Sequence, residues 1–269
     1  MLKTIRCFFV RSLVRMVVPG GALCCVIVAA GCAHVTPGAP GAALDRERLS
    51  NAVSLDDAAN VRAWVEARAI GVNDVVPGFG YAATPLITVA ARQASLNVLR
   101  YLIAANADLN ARTPDNDTAL MLASFFAQED RDRGTSSHER YDHAVRLLVE
   151  AGAELENYGN AYTPLSYAAY SGRNSTLRYL IDKGARVNAD ADVQRRITGV
   201  NTPLMMAAIQ GHQGAVRELL RAGADAGVRV EGGMSAMDFA RKYQQTHLMP
   251  LLRCAENLGP GESFGKRCE

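Results

Sequence analysis

A phrase of about 33 residues recurs along the chain, and this repetition constrains the fold more than any other feature of the sequence. Each copy opens with Thr, continues through small residues and an amphipathic run, and usually ends in Gly-Ala. The copies begin at Thr84, Thr118, Thr163 and Thr202. One unit of this length cannot bury its apolar face alone, whereas stacked units share a continuous core. The sequence therefore predicts a linear array of similar helical units.

Each part of the phrase has a predicted structural role. The four Thr residues stand where helix N-caps are needed, and Pro85, Pro164 and Pro203 follow at the first helical position. Pairs of small residues allow neighbouring helices to approach closely; they are Ala90-Ala91, Ala168-Ala169 and Ala207-Ala208. The left-handed residues that end the second helices are predicted to be Gly152, Gly184 and Gly223.

These residues resemble the ankyrin repeat, whose T-P-L-x-x-A-A and L-L-x-x-G-A signatures lie about 33 residues apart. The resemblance covers residues 50–252 and implies an all-α ankyrin-repeat solenoid of helix-turn-helix units with finger loops. We expect about six units, because weaker caps flank the four clear ones. Residues 55–73 keep the second-helix pattern, with Trp64 against the next unit, and residues 234–252 place Ser235 at a capping position.

Two stretches depart from the family spacing. Roughly 12 extra residues fall within "AQEDRDRGTSSHERYD", around residues 128–140, and roughly six extend the loop "ADADVQRRITGV". Insertions in solenoids map to one face and often contact a partner. A tolerated surface loop that carries solvated charges is the alternative, and the sequence leaves both open.

The first 31 residues have the pattern of a signal peptide. They contain four basic residues and no acidic one, followed by an uncharged segment at residues 16–31. This segment is shorter than the roughly 20 residues that a membrane-spanning helix requires, and Pro19-Gly20-Gly21 interrupts it.

The end of this leader, "AAGC", resembles the lipobox of bacterial lipoproteins, which implies lipidation of Cys32. Ala29 replaces the usual Leu, so cleavage by the ordinary signal peptidase remains an alternative. We expect a lipidated Cys32 with a Pro/Gly/Ala linker at 32–48, the repeat domain at 49–253 and a tail at 254–269. Ala33 resembles the residue that directs lipoproteins to the outer membrane, so we expect an exported protein anchored there and facing the periplasm.

The cysteine positions favour export. After the leader and Cys32 the only cysteines are Cys254 and Cys268, and the repeats contain none. In an oxidising compartment these two most simply form one disulfide. A redox or metal pair is the alternative, which the absence of CxxC spacing disfavours.

Composition and motifs exclude several functions. The net charge is +2, and without the basic leader the chain is slightly acidic, so no electrostatic footprint for nucleic acid is present. The sequence contains no G-x-x-x-x-G-K-[ST], G-x-S-x-G or H-E-x-x-H motif. We therefore predict no catalytic residue, no cofactor and no metal ligand, and a protein that is not an enzyme.

The resemblance implies that partners contact the finger loops and the outward positions of the first helices. Aromatic residues gather at these positions in the middle repeats, as at binding hot spots. The candidate partner-binding residues are Phe125, Phe126, Tyr158, Tyr162, Tyr170 and Ile209, together with Arg131 and Arg133 in the insertion. Alternatively, Phe125 and Phe126 pack beneath the inserted loop.

These observations lead to the hypothesis of a monomeric, non-enzymatic binding module held at the bacterial envelope. Its expected partner is one protein, such as a periplasmic or secreted enzyme, that it neutralises or stabilises in an immunity-like role. Two alternatives remain: an assembly scaffold with several weak partners, and an enzyme whose site the motifs do not reveal. Tight one-to-one binding would favour the dedicated binding module, and several weak partners would favour the scaffold. Turnover by the isolated protein would favour the enzyme.

Overall fold

The computed structural model describes residues 46–78, 80–125, 137–156, 162–188, 202–229, 233–259 and 261–268. The leader, Cys32 and the linker up to residue 45 lie outside this range, so their predicted roles stay predictions. Within it, six helix pairs follow one another along the chain.

The first helices of the pairs are α1 Arg46–Ser54, α3 Leu86–Arg92, α5 Ala119–Phe125, α7 Pro164–Tyr170, α9 Pro203–Gln210 and α11 Ala236–Lys242. The second helices are α2 Ala58–Glu66, α4 Leu96–Ala104, α6 Ser137–Glu150, α8 Asn174–Asp182, α10 Gln213–Arg221 and α12 Met249–Glu256. A 3-10 turn at Thr246–Leu248 precedes α12, and a short α13 spans Phe264–Arg267. Strands β1 Val75–Gly78 and β2 Tyr81–Pro85 form an antiparallel hairpin.

Each first helix contacts the first helix of the next unit, and the second helices from α2 to α10 do the same, whereas α10 contacts the 3-10 turn and α13 of the last unit. The predicted small pairs make this approach possible, because all six of their alanines are fully buried. The second helices contribute the apolar stripe, for example Leu177 and Leu180 of α8 and Val216 and Leu219 of α10. One core runs through all the units, and the predicted all-α solenoid of helix-turn-helix units is confirmed.

Most of the predicted helix ends are confirmed. Thr163 and Thr202 are N-caps whose hydroxyls accept from the amides of Ser166 and Met205, at 3.2 and 3.3 Å. Thr118 accepts in the same way from the amide of Met121. The left-handed conformation occurs at the predicted glycines, with φ of 96° at Gly152 and Gly184 and 88° at Gly223.

The predictions that Thr84 caps the helix and that Pro85 is its first residue are wrong. Both residues belong to β2, where Thr84 pairs with Val76 and its hydroxyl donates to the carbonyl of Gly78 at 3.1 Å. Pro85 becomes the N-cap and α3 begins at Leu86, without a side-chain cap. The hairpin holds this stretch in extended backbone, so the helix starts later than the local motif predicts.

The two end units are built differently. At the N-terminal end, α1 completes a pair of which the sequence pattern had indicated only the second helix, and Trp64 of α2 is half-buried against the core. At the other end Ser235 and Asp238 form a reciprocal capping box at the start of α11. A disulfide joins Cys254 of α12 to Cys268, with 5.8 Å between the Cα atoms.

Side chains at the ends of the units link each finger to the next. Each accepts a hydrogen bond from a backbone amide of the following unit, at 2.7 to 3.1 Å. The acceptors are Asn73, Asn110, Glu156 and Asn188, and their donors are Asp108, Glu154, Arg186 and Asp225. These bonds fix the spacing of the fingers, which carry part of the candidate surface described below.

Across the described ranges, none of the helices combines the length and apolar character needed to cross a bilayer.

Candidate functional site

Four aromatic side chains meet where the third and fourth helix pairs adjoin. We call Phe125, Tyr162, Tyr167 and Tyr170 the aromatic cluster. The ring of Phe125 stacks on that of Tyr170 at 5.8 Å between centroids and meets Tyr167 edge-on at 5.4 Å. Tyr162 packs edge-on against Tyr167 at 6.3 Å. All four are half-buried, so the rings pack against one another while part of each remains at the surface.

Local structure brings these rings together. Phe125 is the last residue of α5, and Tyr167 and Tyr170 lie on one face of α7 because they are three positions apart. Tyr162 directly precedes Thr163, the N-cap of α7. The cluster therefore spans two successive units and depends on their relative packing.

An acidic finger residue adjoins the aromatic cluster. The hydroxyl of Tyr167 donates to Oδ1 of Asp117 at 2.7 Å. Thr113 closes the turn, since its hydroxyl accepts from the amide of Asp117 at 3.1 Å and its amide donates to the Asp117 carbonyl at 2.9 Å. At the tip of the same turn, Arg112 donates to the carbonyl and side chain of Asn116. The turn thus holds the Asp117 carboxylate against the rings.

Burial dominates the titration of this pair. It raises the pKa of Asp117, and the hydrogen bond from Tyr167 opposes that rise. Asp115 raises the same pKa further, whereas the positive charge of Arg92 lowers it. For Tyr167, burial and then the negative charge of Asp117 raise the pKa above its ordinary value. At neutral pH Tyr167 is therefore a neutral donor to a partly desolvated carboxylate.

A buried arginine joins the C-terminal part of α5 to the N-terminal part of α6. Arg173 is only 3% exposed and donates to the carbonyls of Ala123 and His138 and to the carboxylate of Asp142. Asp142 also accepts from the hydroxyls of Ser175 and Thr176, at 2.6 and 2.5 Å. We call Arg173, Asp142, Ser175 and Thr176 the Arg173 network.

The electrostatics of the Arg173 network favour the ion pair. Burial alone would raise the pKa of Asp142, but the hydrogen bonds from Ser175 and Thr176 and the charge of Arg173 lower it. Burial lowers the pKa of Arg173, against the opposing effect of Asp142. The hydrogen bonds that the Asp142 carboxylate accepts and the Arg173 guanidinium donates offset the cost of removing both charges from water.

The start of α6 is also attached to the preceding unit. Arg140 donates to the carbonyl of Ala94 at 2.9 Å, and the Tyr141 hydroxyl donates to the carbonyl of Arg92 at 2.7 Å. α6 has 14 residues, whereas α4, α8 and α10 have nine each. The extra N-terminal turn of α6, which contains the last residues of the predicted insertion, is therefore attached to the preceding unit.

The structure describes the positions of some of the predicted partner-binding residues, and their role in binding stays a prediction. It brings Phe125, Tyr162 and Tyr170 together, whereas Ile209 lies one unit further on α9, half-buried against the core. Outside the described residues lie Phe126, Tyr158, Arg131, Arg133 and Cys32.

Sequence reasoning missed Tyr167 and Asp117 as members of the site. The spacing of Tyr167 and Tyr170 could have revealed the first, because residues three apart share a helix face. Asp117 occupies a finger position of the kind that the family uses for binding, but its bond to Tyr167 joins residues 50 positions apart and leaves no local signal.

Among the residues that the structure describes, no group of three or more His, Cys, Asp or Glu side chains is placed to hold a metal ion. The site consists instead of aromatic rings, a carboxylate and the hydrogen bonds that hold them. This combination suits recognition of another molecule's surface.

Comparison with known families agrees with the architecture. The family model of the ankyrin repeat matches residues 83–114, 160–192 and 201–229. The unit formed by α5 and α6 lies between these matches, and it is the unit that contains the predicted insertion.

The curated relatives are animal proteins of other kinds. The palmitoyltransferase Hip14 of Drosophila melanogaster is 39% identical over 94 residues, which cover 35% of this chain and 14% of that protein. A transient receptor potential cation channel subfamily A member 1 homologue of Caenorhabditis elegans is 32% identical over 102 residues, 37% of this chain and 8% of the channel. The neurogenic locus notch homologue protein 1 of Xenopus tropicalis is 30% identical over 151 residues, 55% of this chain and 5% of that protein.

Because the chain spans less than a sixth of the length of each of these relatives, the similarity concerns the repeats and not the activities of the whole proteins. Ankyrin repeats are protein-interaction modules and are generally non-enzymatic. The chain contains ankyrin repeats that fold as an all-α solenoid, and these repeats indicate a protein-binding module.

Proposed function

We propose that this chain is a monomeric binding protein of the bacterial envelope, anchored through lipid on Cys32 and facing the periplasm. It binds one specific protein, such as a periplasmic or secreted enzyme, and neutralises or stabilises it in an immunity-like role. The protein itself is not an enzyme and uses no cofactor. The observation that carries the proposal is the aromatic cluster with Asp117, located on the two central units of the array.

Three features support binding at the aromatic cluster. Tyrosines are enriched among residues that dominate binding energy, and the cluster contains three. Its location at the middle of six helix pairs leaves repeat surface on both sides to surround a central anchor. The Arg173 network and the hydrogen bond between Tyr167 and Asp117 hold the surface in one arrangement, so less conformational entropy is lost when a partner binds.

Two features support export. The basic leader and the "AAGC" sequence before Ala33 have the pattern of a lipoprotein signal. The disulfide between Cys254 and Cys268 belongs to the chemistry of an oxidising compartment such as the periplasm.

Affinity capture tests the binding proposal. The tagged full chain is used to capture proteins from a bacterial envelope extract, beside a variant with Tyr162→Ala and Tyr170→Ala. Tyr243→Ala is the matched control, because Tyr243 is an exposed tyrosine at the end of α11, remote in sequence from the cluster. Circular dichroism verifies that all three proteins are folded.

We expect one stoichiometric partner with the parent and the control, and loss of that partner with the double variant. Equal capture by all three, or no capture by any, contradicts the proposed site. Several partners in small amounts indicate a general scaffold instead.

Metabolic labelling tests the anchor. The full chain and its Cys32→Ser variant are expressed in a bacterial host supplied with radiolabelled palmitate, with Cys25→Ser as the control. The parent and control should incorporate label and sediment with membranes, and Cys32→Ser should do neither. An unlabelled parent in the soluble fraction indicates cleavage by the ordinary signal peptidase.

A further inference from the structure

The chain that follows α12 adds a short element to the last unit. We call residues 261–268, which contain α13, the C-terminal cap. Phe264 of this cap is only 3% exposed and belongs to the apolar core. Because α13 contacts both α10 and α12, the cap covers part of the second-helix side at this end of the array. Removal of the cap would therefore expose apolar surface of these two helices.

The C-terminal cap has few attachments to the repeats. Its hydrogen bonds to other described residues all lie within residues 259–268: Glu262 accepts from the amide of Gly259 and from the side chain of Arg267, and the amides at the end of α13 donate to carbonyls at its start. The cap is attached to the repeats by the buried Phe264 ring and by the disulfide from Cys268 to Cys254 of α12.

The disulfide has a large effect on whether the cap stays folded against the repeats. Ordering each residue costs conformational entropy, and the burial of one aromatic ring offsets that cost for only a few of the residues in the cap. The disulfide holds Cys268 beside α12, so much less entropy is lost when the cap folds. The helix α12 depends less on this bond, because Leu251 and Leu252 pack it into the core.

We infer that the disulfide between Cys254 and Cys268 is a redox switch that controls the docking of the C-terminal cap. Both cysteines are half-buried, so part of each residue lies at the surface. Reduction releases the cap and exposes the apolar surface of α10 and α12 that Phe264 covers. This inference adds a form of regulation to the protein and does not depend on the identity of its partner.

The reductant that operates the switch is a dithiol. One of its thiolates attacks a sulfur of the disulfide, a mixed disulfide forms, and the other cysteine leaves as a thiolate that takes up a proton. The second thiolate of the reductant then attacks the mixed disulfide and releases the second cysteine. The reductant ends as a disulfide, and its two electrons reduce Cys254 and Cys268 to thiols.

Hydrogen–deuterium exchange of the full chain tests the switch. Exchange is measured by mass spectrometry before and after treatment with dithiothreitol, and the peptides followed cover the cap and α12. Alkylation followed by peptide mapping, without denaturant, measures how far Cys254 and Cys268 are reduced. The variant with Cys254→Ser and Cys268→Ser is the control, since a reductant has no bond to break at this place in it.

We expect both cysteines to be reduced and alkylated in the folded protein. Exchange in residues 262–268 should become at least tenfold faster after reduction, while exchange in α12 changes by less than twofold. The double variant should exchange rapidly in the cap with and without dithiothreitol.

Three results overturn the inference. A cap that stays protected after reduction does not need the disulfide to remain docked. An equal loss of protection in α12 shows a bond that supports the whole unit and does not control the cap alone. A disulfide that dithiothreitol reduces only after urea is added is inaccessible in the folded protein.

Discussion

The Tyr167 hydroxyl of one ankyrin unit donates to the Asp117 carboxylate of the preceding unit at 2.7 Å. The bond joins helix α7 to the finger turn that precedes helix α5, at the edge of the aromatic cluster. It connects the packing of two repeats to the chemistry of the candidate binding surface.

Replacing Tyr167 by Phe should destabilise the protein by roughly 1 kcal/mol, the lower end of the cost of leaving a partly buried acceptor without its donor. The ring contacts with Phe125 and Tyr162 should remain. Urea unfolding of parent and variant measures the difference. A variant as stable as the parent would show that water replaces the hydroxyl without cost.

Replacing Asp117 by Asn should stabilise the fold at neutral pH. The pKa of Asp117 is raised in the folded state by burial, so its ionisation costs stability as the pH rises through that pKa. Below the unfolded pKa of about 3.9 the group is protonated in both states and this cost vanishes. The variant should therefore have a larger free energy of unfolding than the parent at pH 7, and this difference should disappear near pH 3.5.

Urea unfolding of both proteins at the two pH values measures this effect. A difference that does not change with pH would contradict the raised pKa.

Breaking the Arg173 network should have the largest effect. Arg173→Met leaves the Asp142 charge without its cation and the Ala123 carbonyl without its donor, which should cost roughly 3–5 kcal/mol. Arg178→Met is the matched control, because Arg178 is exposed on α8, the helix that Arg173 precedes, and its replacement should change stability by less than about 0.5 kcal/mol. Thermal or urea unfolding distinguishes the two, and similar losses for both would refute the assigned role of Arg173.

Removing the disulfide should lower the stability of the C-terminal unit. Cys254 and Cys268 are 14 positions apart, and closing a loop of this size is worth about 3 kcal/mol in the chain-entropy model. The double change to Ser should lower the melting temperature, and a reducing agent should lower that of the parent to the same extent. An effect of the reductant on the double variant would show that something other than this bond responds.

The units could be predicted from sequence because their signals are local. Thr163 with Pro164, and Thr202 with Pro203, encode a cap and a first helical residue within two positions, and Gly184 and Gly223 encode the helix ends in the same way. Thr84 had the same local signal and did not become a cap. Its pairing with Val76 in the hairpin overrides the helix propensity, and such pairing cannot be seen in the motif itself.

The site was less predictable because its decisive contacts join distant residues. Phe125, Tyr162 and Tyr170 followed from their positions in the repeat, but the bond between Tyr167 and Asp117 depends on how two units stack. Arg173 and Asp142 are likewise 31 positions apart, and each resembles an ordinary surface charge when the sequence is considered alone.

The most direct test of the central claim is a calorimetric titration of the purified captured partner against the full chain. The parent and Tyr243→Ala should bind one partner per chain with equal affinity, and the variant with Tyr162→Ala and Tyr170→Ala should bind at least tenfold more weakly, because hot-spot residues each contribute about 2 kcal/mol or more. Equal affinity for all three proteins would contradict the claim that the aromatic cluster is the binding surface.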